Sequence, residues 1–203
     1  MGIQNYTYLA LQFIACLFAL YNWKSYKNTA LWIFLPFLIY SLINEFLATY
    51  IALNFKIRLL YNVYIMLSFL VYLYWFDRLL NLKMIKWILL GLFAAAVIYD
   101  IYSKGVMRPL LKTAVNFQSI MVLVGSVVFF AKLLRSKEVI HYQQLPAFWI
   151  VSGMLIFYIG YVPLSLMVGM GFHVDEFYAL AIVLLNLLLY GSYIIGFYVA
   201  GKR

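Results

Sequence analysis

The run ALWIFLPFLIYSLINEFLATYIAL, residues 30–53, decides the fold of this chain. A hydrocarbon layer about 30 Å thick takes roughly 20 apolar residues to cross as a helix, and this run supplies them. Its one formal charge is Glu45. A carboxylate at that depth is costly unless it faces protein, water or a ligand, so Glu45 is the leading candidate for a functional site.

Six more apolar runs flank it, at 6–22, 59–76, 84–102, 110–134, 146–171 and 177–199, parted by short charged or turn-forming breaks. Composition agrees: 67% of residues are hydrophobic and 10% charged, whereas a soluble domain would be near a half and a quarter. Continuous rather than alternating runs exclude a transmembrane β-barrel. The expected fold is therefore all-α, a polytopic membrane protein with seven transmembrane helices forming one domain over 1–203. Seven spans and short loops leave no room for a soluble catalytic or signalling domain.

Basic residues set the orientation. If the N-terminus is outside, the inward segments hold Lys24, Lys27, Arg78, Lys83, Lys86, Lys132, Arg135, Lys137, Lys202 and Arg203, ten of the 15 basic residues. The only formal charges in the break at 172–176 are the acidic Asp175 and Glu176. The positive-inside rule then predicts an outside N-terminus and a cytoplasmic C-terminus, in the cytoplasmic (plasma) membrane. No basic residue precedes the first run, which reads as an uncleaved anchor. Topology and contact with anionic lipid account for the net charge of +9, and no nucleic-acid partner is expected.

Polar residues are distributed unevenly in depth. Measured from each run's midpoint at about 1.5 Å per residue, Gln12, Glu45, Asn62, Asp100, Asn116, Gln118 and Asn186 all fall on the outer side. An outer-half cavity explains that asymmetry. Helical spacing groups Lys112, Asn116, Ser119 and Ser126 on one face, and likewise Ser41, Glu45 and Thr49; Tyr61, Tyr64, Ser68 and Tyr72; and Asn186, Tyr190 and Tyr193. Many aromatic residues sit at run ends as an interfacial belt, Trp75, Trp87, Tyr99 and Tyr102 among them. Tyr64, Tyr158, Tyr161 and Tyr190 lie deeper, where a phenol needs a partner or a cavity. The candidate ligand- or ion-binding residues are Glu45, Asn62, Tyr64, Lys112, Asn116, Tyr161 and Asn186. Glu45 is expected to meet a polar neighbour from the Lys112–Asn116 face or Asn186. The competing explanation is helix-to-helix hydrogen bonding with no ligand.

An internal repeat is also suggested. Residues 30–40 match 147–157 at an offset of 117, with Ala, Trp, Ile, Leu and Ile identical, and Tyr61, Ile65, Leu67 and Leu70 fall on Tyr178, Ile182, Leu184 and Leu187 at the same offset. Gln12, Ile14 and Leu17 match Gln118, Ile120 and Leu123 at 106. The repeat halves would be 6–76 and 110–199, linked by the helix at 84–102 in a parallel 3+1+3 arrangement. That layout resembles the SWEET sugar facilitators and the PnuC-type vitamin carriers in architecture rather than in motif, and the resemblance implies a substrate site near the midplane. Microbial rhodopsins share the helix number and orientation, but the seventh run holds no lysine for a Schiff base.

Other chemistry finds little support. His141 and His173 lie in breaks on opposite sides, so they cannot share a metal, and Cys16 is the lone cysteine. No phosphate loop, nucleophile elbow or HExxH occurs. Neither a cofactor nor a bound metal is expected, and an intramembrane enzyme built on Glu45 and Asp100 is the weaker alternative. The reading is a membrane protein that moves or binds a small polar solute or ion. Its alternative is a receptor, channel-forming or accessory subunit signalling through a partner, and both leave room for a homo-oligomer or a partner membrane protein.

Overall fold

The structure, a computed structural model, describes residues 3–50, 54–104, 111–169 and 175–202, with no strand among them. In chain order it forms α1 (Ile3–Tyr21), the single turn α2 (Trp23–Tyr26), a 3-10 turn (Ala30–Ile33), α3 (Phe34–Tyr50), α4 (Asn54–Leu80), α5 (Ile85–Lys104) and α6 (Lys112–Leu134). A 3-10 segment (Lys137–Gln144), α7 (Pro146–Gly169) and α8 (Asp175–Gly201) complete it.

Among the described residues six stretches are long and apolar enough to cross a membrane: Ala30–Ala48, Leu59–Leu80, Ile85–Ser103, Lys112–Leu134, Pro146–Met167 and Tyr178–Gly201. An integral membrane protein is consistent with them. The first run gives a shorter apolar stretch, Leu9–Tyr21, within α1. Boundaries differ as well. α4 starts at Asn54 and α8 at Asp175, inside breaks read from the sequence as loops. Charged residues end an apolar run without ending a helix, since the backbone ladder is indifferent to side-chain polarity.

α1, α3, α4, α6, α7 and α8 pack in chain order as a ring that closes between α8 and α1, while α5 lies outside against α6. Phe93 of α5 stacks on Phe69 of α4, their ring centroids 3.7 Å apart. α7 and α8 make the closest approach. A Cβ on Gly153 would lie 2.6 Å from Ser192 Cβ, and one on Gly196 would lie 2.9 Å from Ile150 Cγ1. Small residues permit that backbone contact, which replaces the hydrophobic drive missing between helices in lipid.

Near the end of the ring where α3 and α7 begin lies a layer of packed rings. Phe34 packs edge-on against Trp75 and Tyr193, at centroid distances of 5.0 and 5.4 Å, and Tyr26 lies 5.3 Å from Phe197. Tyr26 Oη donates to the Ala19 carbonyl at 2.7 Å. Burial pushes the Tyr26 phenol up, so it keeps the proton that this bond uses. Trp75 is thus core, 2% exposed, and not part of an interfacial belt, whereas Trp87, Tyr99 and Tyr102 are exposed. Asn81 and Lys83 turn the chain from α4 into α5 with φ of 58° and 46°. Lys86 Nζ clips that turn to Asp77 Oδ2 at 2.9 Å.

Candidate functional site

On one side of the aromatic layer, the six ring helices enclose a cavity with two lobes. The smaller, about 230 Å³, is polar: Gln12, Ser41, Asn44 and Glu45 line it. The larger, about 300 Å³, is aromatic, with Tyr72, Tyr158 and Tyr161 in its wall beside Ser68 and Gln118. Tyr61, Tyr64, Phe157, Asn186 and Tyr190 line both, so the lobes are contiguous.

Helical spacing builds this wall. Ser41 and Glu45 are one turn apart on α3, and Tyr61, Tyr64, Ser68 and Tyr72 descend one face of α4, so each helix delivers a strip of polar tips to the ring interior. The Glu45 carboxyl is hydrogen-bonded by Tyr61. Gln12 Nε2 donates to Tyr190 Oη at 2.9 Å, tying α1 to α8. Gln118 pairs with Ser68, its Nε2 3.0 Å from the hydroxyl, and reaches Tyr158 Oη at 3.4 Å. Asn186 gives its amide to the Ile182 carbonyl at 2.8 Å. Among the described residues the buried polar atoms with no hydrogen-bond partner are Gln12 Oε1 and Asn44 Oδ1 at this cavity, and Trp75 Nε1 and Tyr193 Oη in the aromatic layer.

Of the residues proposed from sequence, Glu45, Tyr64, Tyr161 and Asn186 meet at this cavity. Asn62 does not line it. Its Oδ1 instead accepts the Leu111 N–H at 3.2 Å. Asp100, from α5, accepts Thr113 Oγ1 at 2.6 Å and the Ala114 N–H at 3.1 Å. Together they cap the start of α6, where unsatisfied N–H groups and the helix dipole favour acceptors and negative charge. Lys112 and Asn116 are exposed and line neither lobe. The buried face of α6 centres on Val122; at about 100° per residue Lys112 lies roughly 80° from it and Asn116 roughly 120°. Glu45 consequently finds Tyr61 rather than the Lys112–Asn116 face as its neighbour. Ser119 and Ser126 are buried, but their hydroxyls bond back to the carbonyls of Val115 and Val122.

Sequence reasoning left Asn44, Tyr61 and Tyr158 out of the site. Tyr61 and Tyr158 each lie three residues from a chosen tyrosine, a spacing that would have found them. Asn44 carried no comparable signal, being about 100° around the helix from Glu45. Cys16 is a buried free thiol and His141 is exposed. Among the described residues no group of three His, Cys, Asp or Glu could hold a metal ion. The side chains of Thr49, Lys56, Arg58, Lys104, Asp175 and Glu176, and all of Arg108 and His173, lie outside the described residues.

Comparison with family models, curated proteins and solved structures finds no match.

Proposed function

We propose that this chain holds a small polar solute or ion in the cavity beside Glu45 and carries it across the membrane. The observation behind the reading is the polar lobe itself, where a carboxyl and two buried, unpartnered carboxamide oxygens share one wall. Buried acceptors are normally satisfied, and leaving one unmet costs about 1–3 kcal/mol, which a bound solute or its water would recover. A further cavity of about 370 Å³, lined by Tyr26, Thr29, Trp75 and Pro146, lies toward the other end. The buried layer of Phe34, Trp75 and Tyr193 stands between the two. Cavities on either side of one aromatic layer suit alternating access. The ring supports a parallel 3+1+3 duplication too, because each half contributes three neighbours in the same order with α5 as the link.

The second reading, a receptor or accessory subunit, draws on the completeness of that layer: Phe34 is 0%, Tyr193 1% and Trp75 2% exposed. In both readings the N-terminus is outside and the C-terminus in the cytoplasm, so a reporter fused after Arg203 gives a cytoplasmic signal. A proteoliposome screen of solute uptake and ion conductance separates the two. Uptake that Glu45→Gln abolishes supports the carrier. Binding without uptake supports the receptor, and uptake indifferent to Glu45→Gln removes the site from either.

A further inference from the structure

The polar lobe is rich in acceptors and short of positive charge. Among the described residues lining the two lobes there is no Lys, Arg or His to stand against Glu45. Gln12 spends its amide on Tyr190 and Asn186 spends its amide on Ile182, so each has a carbonyl oxygen left to offer. Gln12 and Asn44 are 6% and 3% exposed, and the unpartnered atom of each is an oxygen. A ligand that suits such a wall brings N–H donors and a positive charge. The adjoining lobe demands something else. It is walled by the rings of Tyr64, Tyr72, Phe157, Tyr158 and Tyr161, with Phe157 and Tyr161 stacked at 5.6 Å and Tyr158 edge-on to Tyr72 at 6.2 Å. Ring faces attract cations and ring bodies bury apolar surface.

We propose that the solute is a small organic ammonium ion with an apolar body, its N–H groups on Glu45, Asn44 and Gln12 and its body among the tyrosines of the larger lobe. The proposal rests on the solute-binding reading above and narrows its substrate class. An inorganic cation would use the polar lobe and leave the aromatic one idle. A neutral alcohol would supply one donor and no charge. A quaternary ammonium would supply the charge but no N–H, so the two unpartnered oxygens would stay unmet. The site therefore favours a protonated primary amine over all three, and a site built to hydrogen-bond a group rejects analogues that lack it.

The test uses the purified full chain in lipid nanodiscs and follows binding by calorimetry. The probes are 2-phenylethylammonium, its N,N,N-trimethyl analogue, 2-phenylethanol, methylammonium and sodium ion. Phenylethylammonium is expected to bind at least ten-fold more tightly than each of the others, and Glu45→Gln is expected to weaken it at least ten-fold while unfolding at the wild-type temperature. Should Glu45→Gln fail to fold, Asn44→Ala carries the same expectation of weakened ammonium binding with little change for the trimethyl analogue. Equal affinity for the alcohol, unchanged affinity in the variant, or no amine binding at millimolar concentration each overturns the ammonium assignment. The wider reading is judged separately. Glu45-dependent uptake of a neutral solute or of sodium in proteoliposomes keeps the solute site while sinking the ammonium, and an uptake screen blind to Glu45 sinks both.

Discussion

The spans Ala30–Ala48 and Ile85–Ser103 are both 19 residues long and have the same mean hydropathy, yet 39% of the first is buried and 11% of the second. Hydropathy measures how readily a segment enters lipid and carries no information about its neighbours. What differs is how many polar groups each span carries and what meets them. The first span groups Ser41, Asn44 and Glu45 in its second half, beyond the buried Phe34, Leu35, Phe37 and Leu38. The second has one buried polar side chain, Asp100, as far from its end as Glu45 is, and α6 satisfies it there. Three polar groups on neighbouring turns require protein or water around them, so α3 is drawn into the ring. α5 has no such need and faces outward with Trp87, Ile88, Leu92 and Ile98.

That contrast can be broken by substitution. The largest expected effect is functional. Glu45→Gln should eliminate Glu45-dependent uptake or binding, whereas Tyr99→Phe on the exposed face of α5 should leave both at wild-type level; equal losses would erase the distinction. Next comes Asp100→Ala, which strips the α6 start of two hydrogen bonds to a carboxylate and should lower stability by about 2–3 kcal/mol in detergent unfolding. A smaller effect compares packing. Leu38→Ala, at a site 1% exposed, should cost about 2 kcal/mol through the cavity it leaves, while Leu92→Ala, 52% exposed, should change the unfolding midpoint by an amount within error. The smallest is Lys86→Ala. Breaking the partly exposed Lys86–Asp77 pair should cost about 0.5 kcal/mol and nothing in molar salt.

Much of this was legible in the residues. Apolar runs reveal helices because lipid imposes one demand on every segment, and the α3 and α4 stripes through Glu45 and Tyr64 were read from spacing alone. The Lys112–Asn116 stripe misled because spacing shows which residues share a face and not which face turns inward. On α6 that choice follows from contacts with α4, α5 and α7, which no periodicity encodes. Asn62 and Asp100 misled differently. A polar residue in an apolar run has the same signature whether it meets a ligand or caps a neighbouring helix, and the N–H groups they serve lie 49 and 14 residues away in sequence.

The tyrosine lining has a consequence for biogenesis. A phenol carries its hydroxyl on an apolar ring, so Leu59–Leu80 can include Tyr61, Tyr64 and Tyr72 and still be apolar enough to cross a membrane. The insertion machinery meets each segment singly and releases it to lipid on that apolar character. Only when the nascent helices assemble do the hydroxyls face one another. The polarity of the cavity is thus a property of no segment during synthesis and arises on association, which lets a chain with few charges build a polar interior without hindering its own insertion.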